Sequence, residues 1–384
     1  MENWGAIFTF EYAILDDPAI TTEAQRQNIF TTEAHEMAHQ WFGDLVTMAW
    51  WDDLWLNEGF ASWMESKTTH HFHPDWGADI DRVGAREGAM RLDALNSTHP
   101  VVQQVRTVEQ ANQAFDAIAY SKGESVIAML EDYAGADVWR DGIRRYIKAH
   151  AYQNSRTSDL WAAQEAAGAT GLSIIARDFT TQPGIPLIAV GPAQCVNGAT
   201  TVSLTQSQFS ADRKEEAAAR PSVWHVPIKA SAGAAVVKAV TAGRTTALTV
   251  PGCGPLLINA GQTGYYRTLY TPQQAAALAS VLLSWGPSTR RAWSRTQESF
   301  RSPAISRCRP ASISSVRSRA TAMQPSFSGQ SLHGMASMAV SRVMRRRRRR
   351  WRPASGRPSG QGFASLALRL DQASRRSMQS CGRP

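Results

Sequence analysis

The sequence predicts an α+β protein in three parts: a mainly helical part over residues 1–190, a small β-sandwich over 191–285, and a basic tail over 286–384. Three observations carry this. Apolar residues recur at helical spacing up to about residue 180. After Pro183-Gly184-Ile185-Pro186 the pattern changes to short alternating apolar runs punctuated by Gly and Pro, which places the junction at 185–195. From Gly286 to Pro384 there are 21 Arg, no Lys, 20 Ser and two acids, Glu298 and Asp371, and neither period persists. That composition predicts a disordered tail, and Arg without Lys is also what a GC-rich gene read out of frame would produce.

In chain order, Trp4 to Leu15 is rich in Phe, Ile, Tyr and Trp and reads as a strand, broken by Asp16-Asp17-Pro18. Thr21-Thr22 before Glu23 caps a helix that runs to Gly43, with Ile29, Phe30, Ala34, Met37, Ala38 and Trp41 at spacings of three and four. A second helix is expected from Leu54 to Thr68, and others over Ser121–Tyr133, Asp141–His150 and Ser158–Ala167, the last between a capping Ser158 and a terminating Gly168. The strand-like runs are Thr201–Thr205, Val223–Ile228, Val236–Val240, Leu248–Val250 and Tyr265–Tyr270.

The composition narrows the function classes. At 384 residues and 43% apolar content the chain can bury a core in two or three domains. No run approaches the roughly 18 apolar residues of a membrane helix, and MENWGAIF is not a secretory signal. Cys195, Cys253, Cys308 and Cys381 lie far apart and form no CxxC, which argues against a disulfide scaffold, a cysteine zinc site or a redox pair, and fits a cytoplasmic protein. The net charge of +9 averages a tail of +19 and a body of −10. The run Arg345–Arg350 could serve as a nucleic-acid arm, but with no interleaved aromatics or known motif no nucleic-acid partner is expected.

The chemistry concentrates in His35-Glu36-Met37-Ala38-His39. On a helix, His35 and His39 sit one turn apart on one face and can grip one metal ion. Zinc suits nitrogen and oxygen donors in a tetrahedral site, and Glu36 is placed to take a proton from water in the open position. Glu58 lies on the next predicted helix, with 18 residues between it and His39, enough for a helical hairpin to return a third ligand.

These motifs, HEMAHQWFGDLVT followed by WWDDLWLNEGFASWME, resemble the M1 family of zinc aminopeptidases, gluzincins with a thermolysin-like catalytic domain. The resemblance extends over roughly residues 1–285. It implies one zinc per chain held by His35, His39 and Glu58, Glu36 as general base, and peptides with a free N-terminus as substrates. Met1-Glu2-Asn3 resembles the end of the family's GAMEN motif, so Glu2, helped by Asn3, would bind the substrate α-amine. Tyr120-Ser121-Lys122-Gly123 resembles the segment with the catalytic tyrosine, whose hydroxyl stabilises an oxyanion. Phe179 to Pro186 and Leu257 to Arg267 resemble structural segments of the family, with Phe179 where Trp is usual. His70, His71 and His73 are expected to be a solvated helix end.

The chain departs from the family at both ends. The family places a large β-rich domain before GAMEN and a long helical domain after the sandwich, where this sequence turns Arg- and Ser-rich. An inactive zinc-binding fragment is therefore the expected alternative to a working aminopeptidase, and epoxide hydrolysis by the same zinc site is the alternative within enzymes. Preferred substrate residue, oligomeric state and the choice between cytoplasm and export are not legible.

Overall fold

Thr22 begins the first helix of this chain by a local device. In the computed structural model its hydroxyl accepts the Gln25 amide while the Gln25 side chain returns to the Thr22 backbone. The structure describes residues 3–281 except 221, and residues 285–294 except 288 and 292. They fall in one of two units, Met1–Ser312. The predicted tail from 295 on lies outside them, as does Glu2.

The helix so capped is α1, Glu23–His39. It stops short of Gly43, whose φ of +139° closes the following turn. Strand β1, Val46–Met48, leads into α2, Trp55–Phe72. The first two turns of α2 are buried all round, from Trp55 to Ala61, as befits a central helix. Then come α3 (Ala78–Asp93) and α4 (Val108–Gln113). A π-helical turn, Ile118–Lys122, runs directly into α5 (Gly123–Ala134). After α6 (Ala136–His150), strand β2 (Gln153–Ser155) pairs in parallel with β1, and α7 (Thr157–Ala166) and α8 (Leu172–Thr181) complete the helical part.

The strand-rich part is β3 (Ile185–Val190), β4 (Gln194–Val196), β5 (Ala199–Phe209), α9 (Lys214–Ala219), β6 (Pro227–Ser231), β7 (Val236–Val240), β8 (Thr245–Pro251), β9 (Leu257–Ile258), β10 (Arg267–Leu269) and α10 (Pro272–Ser280). It forms a five-stranded sheet ordered β10-β3-β5-β4, with β8 also on β5, and a three-stranded sheet β7-β6-β9. β5 alternates as a half-buried strand should, with Thr200, Val202, Leu204 and Gln206 inward. A single apolar cluster runs from Phe42 to Leu278, so helices and strands share one core. Phe179 and Tyr265 are fully buried within it, in keeping with a structural role.

Several expectations are corrected. Trp4–Leu15 forms no strand; it holds a 3-10 turn, Glu11–Ala13, and exposes Trp4, Phe8, Phe10, Tyr12 and Leu15. No described strand lies beside it, and strand propensity has no ladder to join without a neighbour. Of Val223–Ile228 only the end from Pro227 is strand. Trp224 and Val226 donate their amides instead to the Gln206 side-chain carbonyl at 2.6 Å and the Thr241 hydroxyl at 3.0 Å. Ser158 does not cap α7. The Asp159 carboxylate accepts the Arg156 amide at 2.8 Å and caps it. Cys195 and Cys253, 58 residues apart, are joined in a disulfide with Cα atoms 5.4 Å apart. Just after β8 the Gly252 amide donates to the Gly198 carbonyl at 2.7 Å, so the chain leaving β8 meets the turn between β4 and β5 and carries Cys253 to Cys195, a contact the spacing did not reveal.

Candidate active site

Two crossing helices build the site. At Gly59 on α2 an added Cβ would come within 3.2 Å of Gly123 backbone atoms, and at Gly123 within 3.2 Å of the Gly59 Cα. The start of α5 therefore lies against α2 backbone to backbone, an approach so close that a side chain at either glycine would have to push the neighbouring backbone aside. This contact sets the π-helical turn bearing Tyr120 beside the turn of α2 bearing Glu58. α1 packs against α2 and presents His35 and His39 to Glu58.

The three expected ligands converge. One donor atom from each of His35, His39 and Glu58 lies within 4.8 Å of the others, and among the described residues this is the His, Cys, Asp and Glu group with metal-holding geometry. Glu58 Oε2 is 3.3 Å from His35 Nε2 and 3.5 Å from His39 Nε2. Donors about 2.0–2.1 Å from a tetrahedral zinc ion lie roughly 3.3–3.4 Å apart, so the donor set fits that ion. The other ring nitrogens are engaged as ligands require. His39 Nδ1 donates to the Phe42 carbonyl at 3.0 Å and His35 Nδ1 to Glu65 Oε2 at 3.2 Å, which turns each Nε2 toward Glu58. Tyr120 stacks parallel to His35, with ring centroids 6.0 Å apart.

The ligand residues also shift one another's protonation. Burial would depress the His35 imidazole, but hydrogen bonds to Glu58 and Glu65 outweigh it and raise its pKa to about 9. Burial would raise the Glu58 carboxyl, but its two histidine partners hold it at about 2. Without metal, protonated imidazole takes the cation's place.

Asn3, expected at the substrate amine, is tied to the site's edge. Gln40, the residue after His39, donates its Nε2 to the Asn3 carbonyl at 3.1 Å and accepts the Gly5 amide at 2.9 Å. Glu2 lies outside the described residues. His70 and His71 are exposed at the end of α2, and His73 stacks on Trp76 at 3.6 Å.

Sequence reasoning missed two acids. Glu65 lies seven residues after Glu58 on α2, the same face two turns on, and that spacing was the available signal. Glu65→Ala is expected to weaken zinc binding roughly 10–100-fold without removing a ligand, read by competition with a chromogenic chelator. Glu124 is buried, accepts the Ser66 hydroxyl at 2.6 Å, and has its pKa pushed up to about 7 by burial. A carboxyl raised in the folded state contributes stability at low pH that is lost as pH rises through about 7. Glu124→Gln should flatten that slope and melt later than wild type at pH 8, by about 2–3 kcal/mol in urea titrations. Nothing in the local pattern of α5 marked Glu124.

The family profile for the peptidase family M1 domain matches residues 1–179, the stretch that holds the three-ligand cluster and Tyr120. The chain is a member of peptidase family M1. Its relatives include the tricorn protease-interacting factor F2 of Thermoplasma volcanium, 38% identical over 271 residues, covering 70% of this chain and 33% of the relative. Aminopeptidase M1 of Arabidopsis thaliana is 34% identical over 299 residues, covering 73% and 33%. The leucyl aminopeptidase of Saccharolobus solfataricus is 36% identical over 272 residues, covering 70% and 33%. The M1 chain thus spans about a third of the length of the curated relatives it matches. No helix among its described residues is long and apolar enough to cross a membrane.

Proposed function

We propose that this chain is the catalytic part of a zinc aminopeptidase that hydrolyses the N-terminal peptide bond of peptides. Residues 1–190 form its thermolysin-like domain, 191–285 a β-sandwich and 286–384 the basic tail. The observation that carries the reading is the Glu58 carboxylate at 3.3 and 3.5 Å from two Nε2 atoms whose rings are locked from behind.

His35, His39 and Glu58 would hold one zinc ion, which when bound polarises a carbonyl oxygen and makes water a nucleophile at neutral pH. Glu36 takes the proton of the attacking water and passes it to the departing amine nitrogen, so one carboxylate serves as base and then acid. The Tyr120 hydroxyl donates to the carbonyl oxygen as it gains negative charge. Glu2 pairs with the substrate ammonium and restricts cleavage to the first bond. Asn3, held by Gln40, keeps that strip of backbone beside the ligands.

Hydrolysis of alanyl and leucyl p-nitroanilides by the purified chain, with zinc measured on the same sample, tests this. Activity abolished by chelation and restored by zinc is the expected result. About one zinc per chain with no turnover would overturn it in favour of an inactive zinc-binding fragment. Hydrolysis of an epoxide in place of the anilides would favour the sister activity.

A further inference from the structure

The residues proposed to act on substrate do not explain how Tyr120 is held. It sits in the π-helical turn Ile118–Lys122, whose extra residue per turn rotates its side chains away from the α-helical phase. Within this turn Tyr120 N bonds the Asp116 carbonyl at 3.1 Å, and Ser121 N and Lys122 N both bond the Ala117 carbonyl at 3.1 and 3.0 Å. The amides of Ile118 and Ala119, at the turn's start, are accepted by one side-chain oxygen, Asp116 Oδ1, at 2.8 and 3.1 Å. The other oxygen, Oδ2, lies 2.8 Å from His99 Nε2.

His99 comes from the connection between α3 and α4, 17 residues away. Its second nitrogen, Nδ1, lies 2.8 Å from the Pro100 carbonyl. A neutral imidazole has one N–H, and here both nitrogens face acceptors, so the ring is held as an imidazolium beside a carboxylate. The charges around it agree. Hydrogen bonding to Asp116 raises the His99 pKa. Asp116 is held low despite its burial, and Lys122 is the cation that opposes His99. The far end of the turn is anchored too, where Lys122 Nζ meets Asp93 Oδ2 at 2.7 Å with both side chains fully buried.

We propose that Asp116 and His99 are positioning residues for Tyr120, an ion pair that pins the start of the π-helical turn and so aims the phenol at the carbonyl oxygen. This rests on the aminopeptidase reading above. The pair is about a quarter exposed, at 29% and 27%, so substitutions there are tolerable in a way that breaking the buried Lys122–Asp93 pair is not. Displacing a reacting group by an ångström costs up to about 10²-fold in rate.

A double-mutant cycle on the zinc-loaded chain tests the proposal. Asp116→Ala is expected to lower kcat roughly tenfold or more, with KM within about twofold and zinc content unchanged. His99→Gln, which keeps a donor toward Asp116, should fall between it and wild type. With Tyr120→Phe already in place, Asp116→Ala should cost kcat less than about twofold, because the group it aims is gone. An equal loss in both backgrounds, or a loss confined to KM, overturns the assignment. A second readout needs neither zinc nor turnover. In spectra of metal-free protein with labelled tyrosine rings, Asp116→Ala should shift the Tyr120 resonances, assigned by Tyr120→Phe. Unmoved resonances overturn the proposal. A chain with no turnover whose Tyr120 signals do move would sink the aminopeptidase reading and keep the positioning pair.

Discussion

Glu36→Gln is expected to leave zinc at about one per chain and to lower kcat by roughly 10²–10⁴-fold, the usual contribution of a positioned proton-transfer group. The reason lies in the division of labour along one helical turn. His35 and His39 face Glu58 through their Nε2 atoms, so the metal set is complete without Glu36. Glu36 follows His35 on α1, so the base proposed for this site is next to a ligand in the chain without being one of the three donors that converge. The amide of glutamine keeps the size of the side chain but has no basic oxygen at neutral pH. The test is paired: atomic absorption for zinc, and leucyl p-nitroanilide turnover. Lost zinc would make Glu36 a structural acid of the site, and retained turnover would give the base role to another group.

Glu58→Ala should act the other way, on the metal first. With one carboxylate gone, two imidazoles remain, and zinc affinity should fall by roughly 10³-fold or more, measured by chelator competition, with activity falling in step. The same change should be felt in the metal-free chain. A carboxyl held at about 2 contributes stability above its unfolded value, lost as pH falls from about 4.5 toward 2. An imidazole raised to about 9 contributes stability below about 6.5, lost as pH rises through about 9. Both contributions are present together between about pH 4.5 and 6.5, so the melting temperature of metal-free Glu58→Ala should drop most in that window. A variant that melts like wild type at pH 5.5 would mean that the buried pair adds no net stability.

What could be read in the sequence was what depends on a single helical period. His35 and His39 share a face because they are four residues apart, and α1 starts at Glu23 because Thr22 and Gln25 cap each other. Glu58 was recognisable because its motif follows at a length a hairpin can span. Gly168, at φ +107°, ended α7 as its position foretold. By contrast, Trp4–Leu15 has the composition of a strand and forms none, since a strand exists only with a partner.

The sequence alone therefore determined the identity and spacing of the groups proposed to act: two imidazoles, their intervening carboxylate, and the carboxylate that meets both imidazoles from the next helix. Tertiary structure alone decided how they are held. It brought Glu65 behind His35, and Asp116 and His99 under the turn of Tyr120. It laid Gly59 on Gly123 and closed Cys195 onto Cys253. The physical reason is range. A helical turn or a cap is settled by residues three or four apart, whereas a second partner for a ligand, a backbone crossing or a strand register depends on segments that meet only when the core is packed.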